Sequence, residues 1–192
     1  VKVAEGTYVN LIVTPDGKWI VAKKILQSNE KYETQITRLN LQTGREFAVG
    51  GAQLSAHFPI TFVPAHNKVL LGQGHYQYGR EFNGGVYYLL DPATGTLSQV
   101  RGEFRPLQDQ FTRALQPVDS LAERPNEFWA AVYDQQKKVT AIGRYDARAF
   151  TFAPVIEVPE IRVSNADVWV DAAAGKVYLT YLGHLLRVPL TK

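Results

Sequence analysis

The sequence of 192 residues contains no cysteine and no methionine. Without cysteine, disulfide bonds, thiolate metal sites and cysteine nucleophiles are all excluded. The same absence does not fix the compartment; a periplasmic or secreted location is favoured over a cytoplasmic one, because exported bacterial proteins often lack cysteine. Since no initiator methionine is present, the chain is expected to have been processed or cut from a longer protein.

Long apolar runs and blocks of one charge are also missing. No run approaches the roughly 20 residues that a membrane-spanning helix needs, so no membrane span is predicted. The net charge is only +3, and the basic cluster of Arg101, Arg105 and Arg113 is diluted by Glu103 and Asp109. Nucleic-acid binders usually carry a denser basic stripe, so nucleic acid is not expected as a partner.

What the sequence does contain is a recurring strand–turn–strand pattern. Residues 9–22 read VNLIVTPDGKWIVA, two apolar runs around Pro-Asp-Gly-Lys, and residues 60–72 and 168–182 are similar. The lysines that close the first two turns, Lys18 and Lys68, lie 50 residues apart. A fixed interval of this size is typical of a repeat fold.

A second marker, Thr-Gly between apolar runs, keeps the same period. Its glycines, Gly44 and Gly95, lie 51 residues apart, and glycine readily takes the positive φ that a tight turn requires. A third unit is degenerate, with Asp146 in the position of the Asp-Pro-Ala of the second unit. A fourth unit ends after three predicted strands. About four strands in about 50 residues match one propeller blade. The predicted blades span residues 5–51, 52–102, 110–160 and 161–192.

The segment VKVAEGTYVNLIVTPDGKWIVA, residues 1–22, resembles the repeat of WD40-like β-propellers of the PD40/YVTN type. The likeness covers most of the first two units and is weaker afterwards. It implies an all-β propeller of four blade-like, four-stranded antiparallel repeats. It says little about function, because such blades serve many unrelated roles.

Two arrangements of the blades are compatible with this pattern. Propellers of the resembled type more often have about six to eight blades, which implies that the chain is part of a larger ring. Alternatively, residues 1–4 supply the missing strand of the fourth blade and close a small ring of four. An open ring would expose the apolar faces of its end blades and favour self-association.

The segment GQGHYQYGREFNGG, residues 72–85, forms the longest predicted loop between neighbouring strands. A loop that only reverses the chain needs about two to five residues, so the surplus length suggests a use. Aromatic rings beside an arginine are enriched in interface hot spots. The alternative is an extended hairpin whose glycines only serve its turn. The predicted contact residues for a protein, peptide or glycan partner are His75, Tyr76, Tyr78, Arg80, Phe82 and Asn83.

Other polar and aromatic residues are candidates for chemistry or for packing. Asp119 and Asp167 are candidates to line a propeller channel, although turn amides can equally satisfy such carboxylates. The four histidines show no metal-ligand spacing, so no metal and no cofactor is predicted. These histidines are His57, His66, His75 and His184. The three tryptophans, Trp19, Trp129 and Trp169, are expected to pack between blades.

The sequence therefore predicts a non-catalytic binding or scaffold module that uses propeller-face loops. One rival is a propeller domain that gates a separate hydrolase or peptidase domain outside this chain. Another is an enzyme that uses the mouth of the propeller channel. No G-x-S-x-G nucleophile elbow is present in the chain to support catalysis of its own.

Overall fold

The computed structural model describes residues 5–28, 31–51, 54–55, 57–73, 86–107, 116–118, 124–163 and 167–190. Over these ranges the chain is all-β, with four antiparallel sheets and short 3-10 turns at Pro64–His66 and Arg105–Leu107. None of the described segments forms a helix with the length and apolarity to cross a membrane. The sheets belong to two compact units, Val1–Arg101 and Gly102–Lys192.

The first unit holds two four-stranded sheets, in each of which consecutive strands are neighbours. The first sheet consists of β1 (Thr7–Val13), β2 (Trp19–Ser28), β3 (Lys31–Asn40) and β4 (Glu46–Val49). The second sheet consists of β5 (His57–Val63), β6 (Lys68–Gln73), β7 (Tyr87–Leu90) and β8 (Leu97–Val100).

The second unit holds a four-stranded and a three-stranded sheet. The former consists of β9 (Gln116–Pro117), β10 (Glu127–Asp134), β11 (Val139–Asp146) and β12 (Thr151–Pro159). The latter consists of β13 (Val168–Asp171), β14 (Lys176–Tyr181) and β15 (His184–Pro189). The prediction of four antiparallel sheets, the last with three strands, is confirmed. Residues 1–4, the predicted closing strand, lie outside the described residues, so closure stays a prediction.

The first hairpin forms at the Pro-Asp-Gly-Lys turn, as predicted. Gly17 has a φ of 67°, in the region where a side chain is strained. The Asp16 carboxylate accepts a hydrogen bond from the Thr14 hydroxyl at 2.5 Å and one from the Lys18 N–H at 3.1 Å. These contacts are local in sequence, which is why the turn can be read from four consecutive residues.

The turn before the last strand is built in the same way in three of the sheets. The side-chain oxygens of Asn40, Asp91 and Asp146 each accept bonds from the backbone N–H groups two and three residues later, at 2.8–3.4 Å. Such Asx turns replace a backbone acceptor by a side-chain one. The prediction that Asp146 occupies the position of Asp91 is confirmed.

Two turn carboxylates should make stability sensitive to acid. The Thr14 hydroxyl lowers the pKa of Asp16, and the backbone N–H of Lys137 lowers the pKa of Asp134. A lowered pKa means that the folded state favours the ionised form. Its contribution is therefore complete above the unfolded pKa, near 3.8, and is lost as the pH falls through the folded value.

The corresponding variant is Asp16→Asn combined with Asp134→Asn. Because asparagine keeps an acceptor oxygen but does not ionise, the free energy of unfolding of this variant should fall less than that of the parent between about pH 5 and about pH 2. Urea titrations at both pH values measure the difference. An equal loss of unfolding free energy on acidification in the parent and the variant would contradict the assigned role of these carboxylates.

Each unit has its own apolar core. In the first unit it comprises Val21, Ile36, Val49, Leu54, Val69, Leu71 and Leu90. In the second unit it comprises Trp129, Ala131, Ile142, Ile156, Val158, Val163, Val170, Val177 and Leu179. Both clusters draw residues from two sheets, so the sheets within a unit pack face to face and bury apolar area between them.

Polar side chains add to this packing within each unit. In the first unit, the Arg38 guanidinium donates to the carbonyl oxygens of Pro92 and Ala93, in the turn between β7 and β8 of the second sheet. In the second unit, the Gln116 amide donates to the Val170 carbonyl at 2.6 Å and accepts from the Val170 N–H at 2.9 Å. The Gln116 side chain thus bonds to β13 as a neighbouring strand would, and it joins the two sheets of this unit.

Candidate functional site

The predicted binding segment lies in the connection between β6 and β7. β6 ends at Gln73 and β7 begins at Tyr87, so 13 residues separate two strands that pair directly. Elsewhere, two to nine residues join the paired consecutive strands of the described part. The prediction that this segment joins the second and third strands of its sheet is confirmed. The predicted contact residues themselves, His75, Tyr76, Tyr78, Arg80, Phe82 and Asn83, lie outside the described residues.

One buried residue holds both ends of this connection, one by its backbone and the other by its side chain. His57 lies opposite Gln73, the last residue of β6, in the pairing of β5 with β6. Its Nε2–H donates to the carbonyl oxygen of Val86, just before β7, at 2.8 Å. The ring is 1% exposed, and its centroid lies 5.3 Å from that of Tyr88. The loop therefore leaves and re-enters the sheet at a base that is fixed by packing and a hydrogen bond.

Close backbone packing reinforces the base. A Cβ atom on Gly72 would lie 2.4 Å from Cδ1 of Ile60 and 2.6 Å from Cε1 of Tyr87. Only glycine allows the Tyr87 ring, itself fully buried, to lie this close to β6. A larger residue at position 72 would push this ring away from the stem of the loop.

The chain that enters β5 is tied to the first sheet. The Lys23 ammonium and the Thr34 hydroxyl both donate to the carbonyl oxygen of Ser55, at 3.0 and 2.7 Å. Burial lowers the pKa of Lys23, because the charged ammonium is less well solvated there than in water. These bonds fix the segment that positions His57 and, through it, the end of the loop.

The other predicted polar sites are not brought together among the described residues. Asp167, just before β13, accepts a hydrogen bond from the Thr180 hydroxyl at 3.1 Å, whereas Asp119 lies outside the described ranges. The channel-lining role of both stays a prediction. In the part of the chain that the structure describes, no three His, Cys, Asp or Glu side chains form a group that could hold a metal ion.

The tryptophan prediction is correct for one residue and wrong for another. Trp129 is buried in the core of the second unit, as expected. Trp19 is half-buried and lies under the Arg38 guanidinium, with 5.1 Å between the guanidinium carbon and its ring centroid. Trp169 is 61% exposed, so it does not pack between sheets. It points away from the core because its neighbours Val168 and Val170 occupy the inward positions of β13.

The fold matches that of known propeller domains, although no family model and no curated protein matches the sequence. Dipeptidyl peptidase 4 from Porphyromonas gingivalis aligns with a TM-score of 0.52 and 11% identity, over 92% of this chain and 30% of that one. For TolB from Acinetobacter baumannii the TM-score is 0.46, with 11% identity over 94% and 40% of the two chains.

A third similar structure is the acylaminoacyl peptidase from Pyrococcus horikoshii. Its TM-score is 0.42, with 14% identity over 89% of this chain and 30% of that one. The chain thus spans 30–40% of the length of these three proteins. At this level of identity the likeness concerns the fold alone. The fold is of the β-propeller type.

Proposed function

We propose that the chain is a non-catalytic binding or scaffold module whose β6–β7 loop recognises a protein, peptide or glycan. The observation that carries the proposal is the 13-residue connection between two directly paired strands. Because a reversal of the chain needs only about two to five residues, a connection of this length suggests a further role. Loops presented by a rigid scaffold are common sites of binding.

The fixed base favours recognition over mere chain reversal. His57 joins the two ends of the loop, and Ser55 is held by the first sheet. A loop with anchored ends has fewer conformations to lose when a partner binds, so less of the interaction free energy is spent on ordering it.

The residue types of the loop suit a partner with both flat and polar surfaces. Tyr76, Tyr78 and Phe82 offer aromatic faces that can stack on a sugar ring or an apolar side chain. Arg80 offers a planar guanidinium that can bind a carboxylate with two hydrogen bonds. This combination is enriched in interface hot spots.

The likeness to two peptidases does not extend the proposal to catalysis. Propeller folds serve many functions, so a functional assignment must rest on particular residues.

If the loop serves recognition, it should be removable without loss of the fold. Residues 75–83 are replaced by Asn-Gly in one variant, and by a Gly-Ser segment of equal length in a second. Both variants should lose binding to the ligands that the parent selects from a glycan array and a random-peptide library. The melting temperature should change by no more than about 4 °C, the shift expected for about 1 kcal/mol in a chain of this size.

The two variants separate loop length from loop chemistry. Loss of binding only in the shortened variant would assign recognition to backbone length and contradict the side-chain roles proposed here. Binding that survives in both variants, a parent that selects no ligand from either library, or a collapse of the fold would reject the proposed function.

A further inference from the structure

The three-stranded sheet has one face in the core and one in solvent. Val170, Val177 and Leu179 belong to the core of the second unit. Because side chains alternate along a strand, the residues between them point to the opposite face. On this outer face Trp169 lies opposite Tyr178, and Tyr178 lies opposite Arg187. The three form a single row across β13, β14 and β15.

This outer face exposes large apolar side chains beside charged ones. Trp169 is 61% exposed and Leu185, on the same face opposite Thr180, is 71% exposed. Among the described residues, no carboxylate pairs with the Arg187 guanidinium, and no aromatic ring packs on Trp169. Exposed patches that combine large apolar residues with arginine mark interaction sites.

We propose that this face binds a second copy of the chain around a two-fold axis parallel to β14. When two such sheets pack face to face around this axis, β13 of one copy lies over β15 of the other. Trp169 then contacts the partner subunit's Arg187. The two-fold axis repeats the same contact at the other end of the row. Each contact places a guanidinium on an indole face, which is the most favourable cation–π pairing.

The charges on the face favour a second copy over a partner of uniform charge. Asp167 and Asp171 lie on the same face as Lys176 and Arg187, as the strand register shows. The formal charge of the face is therefore zero, with both signs present. A strongly acidic or strongly basic partner would meet like charges on this face. A second copy suits the face because the row is self-complementary around Tyr178: the axis brings the aromatic end of one row onto the cationic end of the other. Lys176 also lies on β14 and faces the partner subunit's Lys176, and Asp171, opposite Lys176 on β13, offsets this repulsion in each copy.

The test is the mass of the 192-residue chain in solution, measured by analytical ultracentrifugation from about 1 μM to about 1 mM. The parent chain should shift from monomer to dimer within this range. Trp169→Arg places one guanidinium against another and should weaken association at least about tenfold. Trp169→Glu places a carboxylate against a guanidinium and should retain association. If the contact were merely apolar, both substitutions would weaken association equally. That result would overturn the proposed pairing.

A mixing experiment tests the symmetry of the contact. The Trp169→Arg variant should be monomeric alone, because two guanidinium groups face each other. The Arg187→Glu variant should also be monomeric alone, because a carboxylate faces the indole ring in an unfavourable anion–π contact. An equimolar mixture should form a heterodimer. At one end the introduced arginine of the first variant meets the introduced glutamate of the second, and at the other end the original Trp169 and Arg187 side chains meet. Failure of the mixture to associate would reject the two-fold arrangement.

The matched control is Leu11→Arg on β1, which introduces the same charge at a position that is 50% exposed in the first unit. It should leave association unchanged. A parent chain that stays monomeric at every concentration, or an association that only Leu11→Arg weakens, would overturn the proposal. All substitutions are at exposed positions, so near-ultraviolet circular dichroism should confirm that each variant is folded.

Discussion

Replacing Gly143 with alanine should destabilise the second unit by about 3 kcal/mol, the upper part of the range for overpacked sites. Gly143 lies in the middle of β11, where the pairing with β12 shifts register. A Cβ atom there would lie 2.2 Å from the Ala153 carbonyl oxygen and 2.6 Å from Cα of Pro154. Both are backbone atoms of the neighbouring strand, so the clash can be relieved only by moving β12.

The control for this prediction is Gly17→Ala in the first hairpin. No atom lies within 4 Å of a Cβ at that position, so only the strain of a positive φ applies. We expect a loss of about 1 kcal/mol. Urea unfolding followed by circular dichroism measures both variants. A smaller loss for Gly143→Ala than for Gly17→Ala would contradict the close approach of β11 and β12.

Replacing Arg38 with methionine should destabilise the first unit by about 2–4 kcal/mol. The guanidinium donates to the Pro92 and Ala93 carbonyls, and hydrogen bonds from charged groups contribute about 1.5–3 kcal/mol. Its carbon also lies 5.1 and 4.6 Å from the ring centroids of Trp19 and Phe47. Methionine keeps much of the apolar stem but removes the donors and the charge, leaving two carbonyls to find other partners.

Arg45→Met is the matched control, because Arg45 lies over the same Phe47 ring at 5.3 Å but is exposed. A single exposed cation–π contact contributes about 0.5–1 kcal/mol. The free energy of unfolding of this variant should therefore fall by no more than that amount. Urea unfolding followed by tryptophan fluorescence compares the two. Equal losses would show that the carbonyl contacts of Arg38 contribute little to stability.

Local turn chemistry explains why much of the fold could be predicted. Pro-Asp-Gly-Lys around Gly17 and the Thr-Gly turns at Gly44 and Gly95 define hairpins within a few residues, and all three glycines have positive φ. The repetition of Asn40, Asp91 and Asp146 at one turn is also local, because each side chain bonds to the backbone just after it. A regular interval between such turns is enough to predict the strands and their order.

Contacts between distant segments could not be predicted in the same way. The orientation of Trp169 depends on whether another sheet covers its face, which a strand pattern of apolar residues does not show. The role of His57 depends on a residue 29 positions away, Val86, which meets it only through the strand register. Likewise, the bonds of Gln116 to Val170 join residues 54 positions apart.

Site-specific photo-crosslinking tests most directly whether the β6–β7 loop is the recognition surface that we propose for this propeller-type module. A photoreactive phenylalanine analogue is placed at Tyr78 in the loop, or at Gln99, an exposed residue of β8 in the same sheet. Each variant is irradiated with a ligand that the parent selects from the glycan or peptide library. We predict a covalent adduct from position 78 and none from position 99. An adduct from position 99 alone, or equal yields from both positions, would contradict the account.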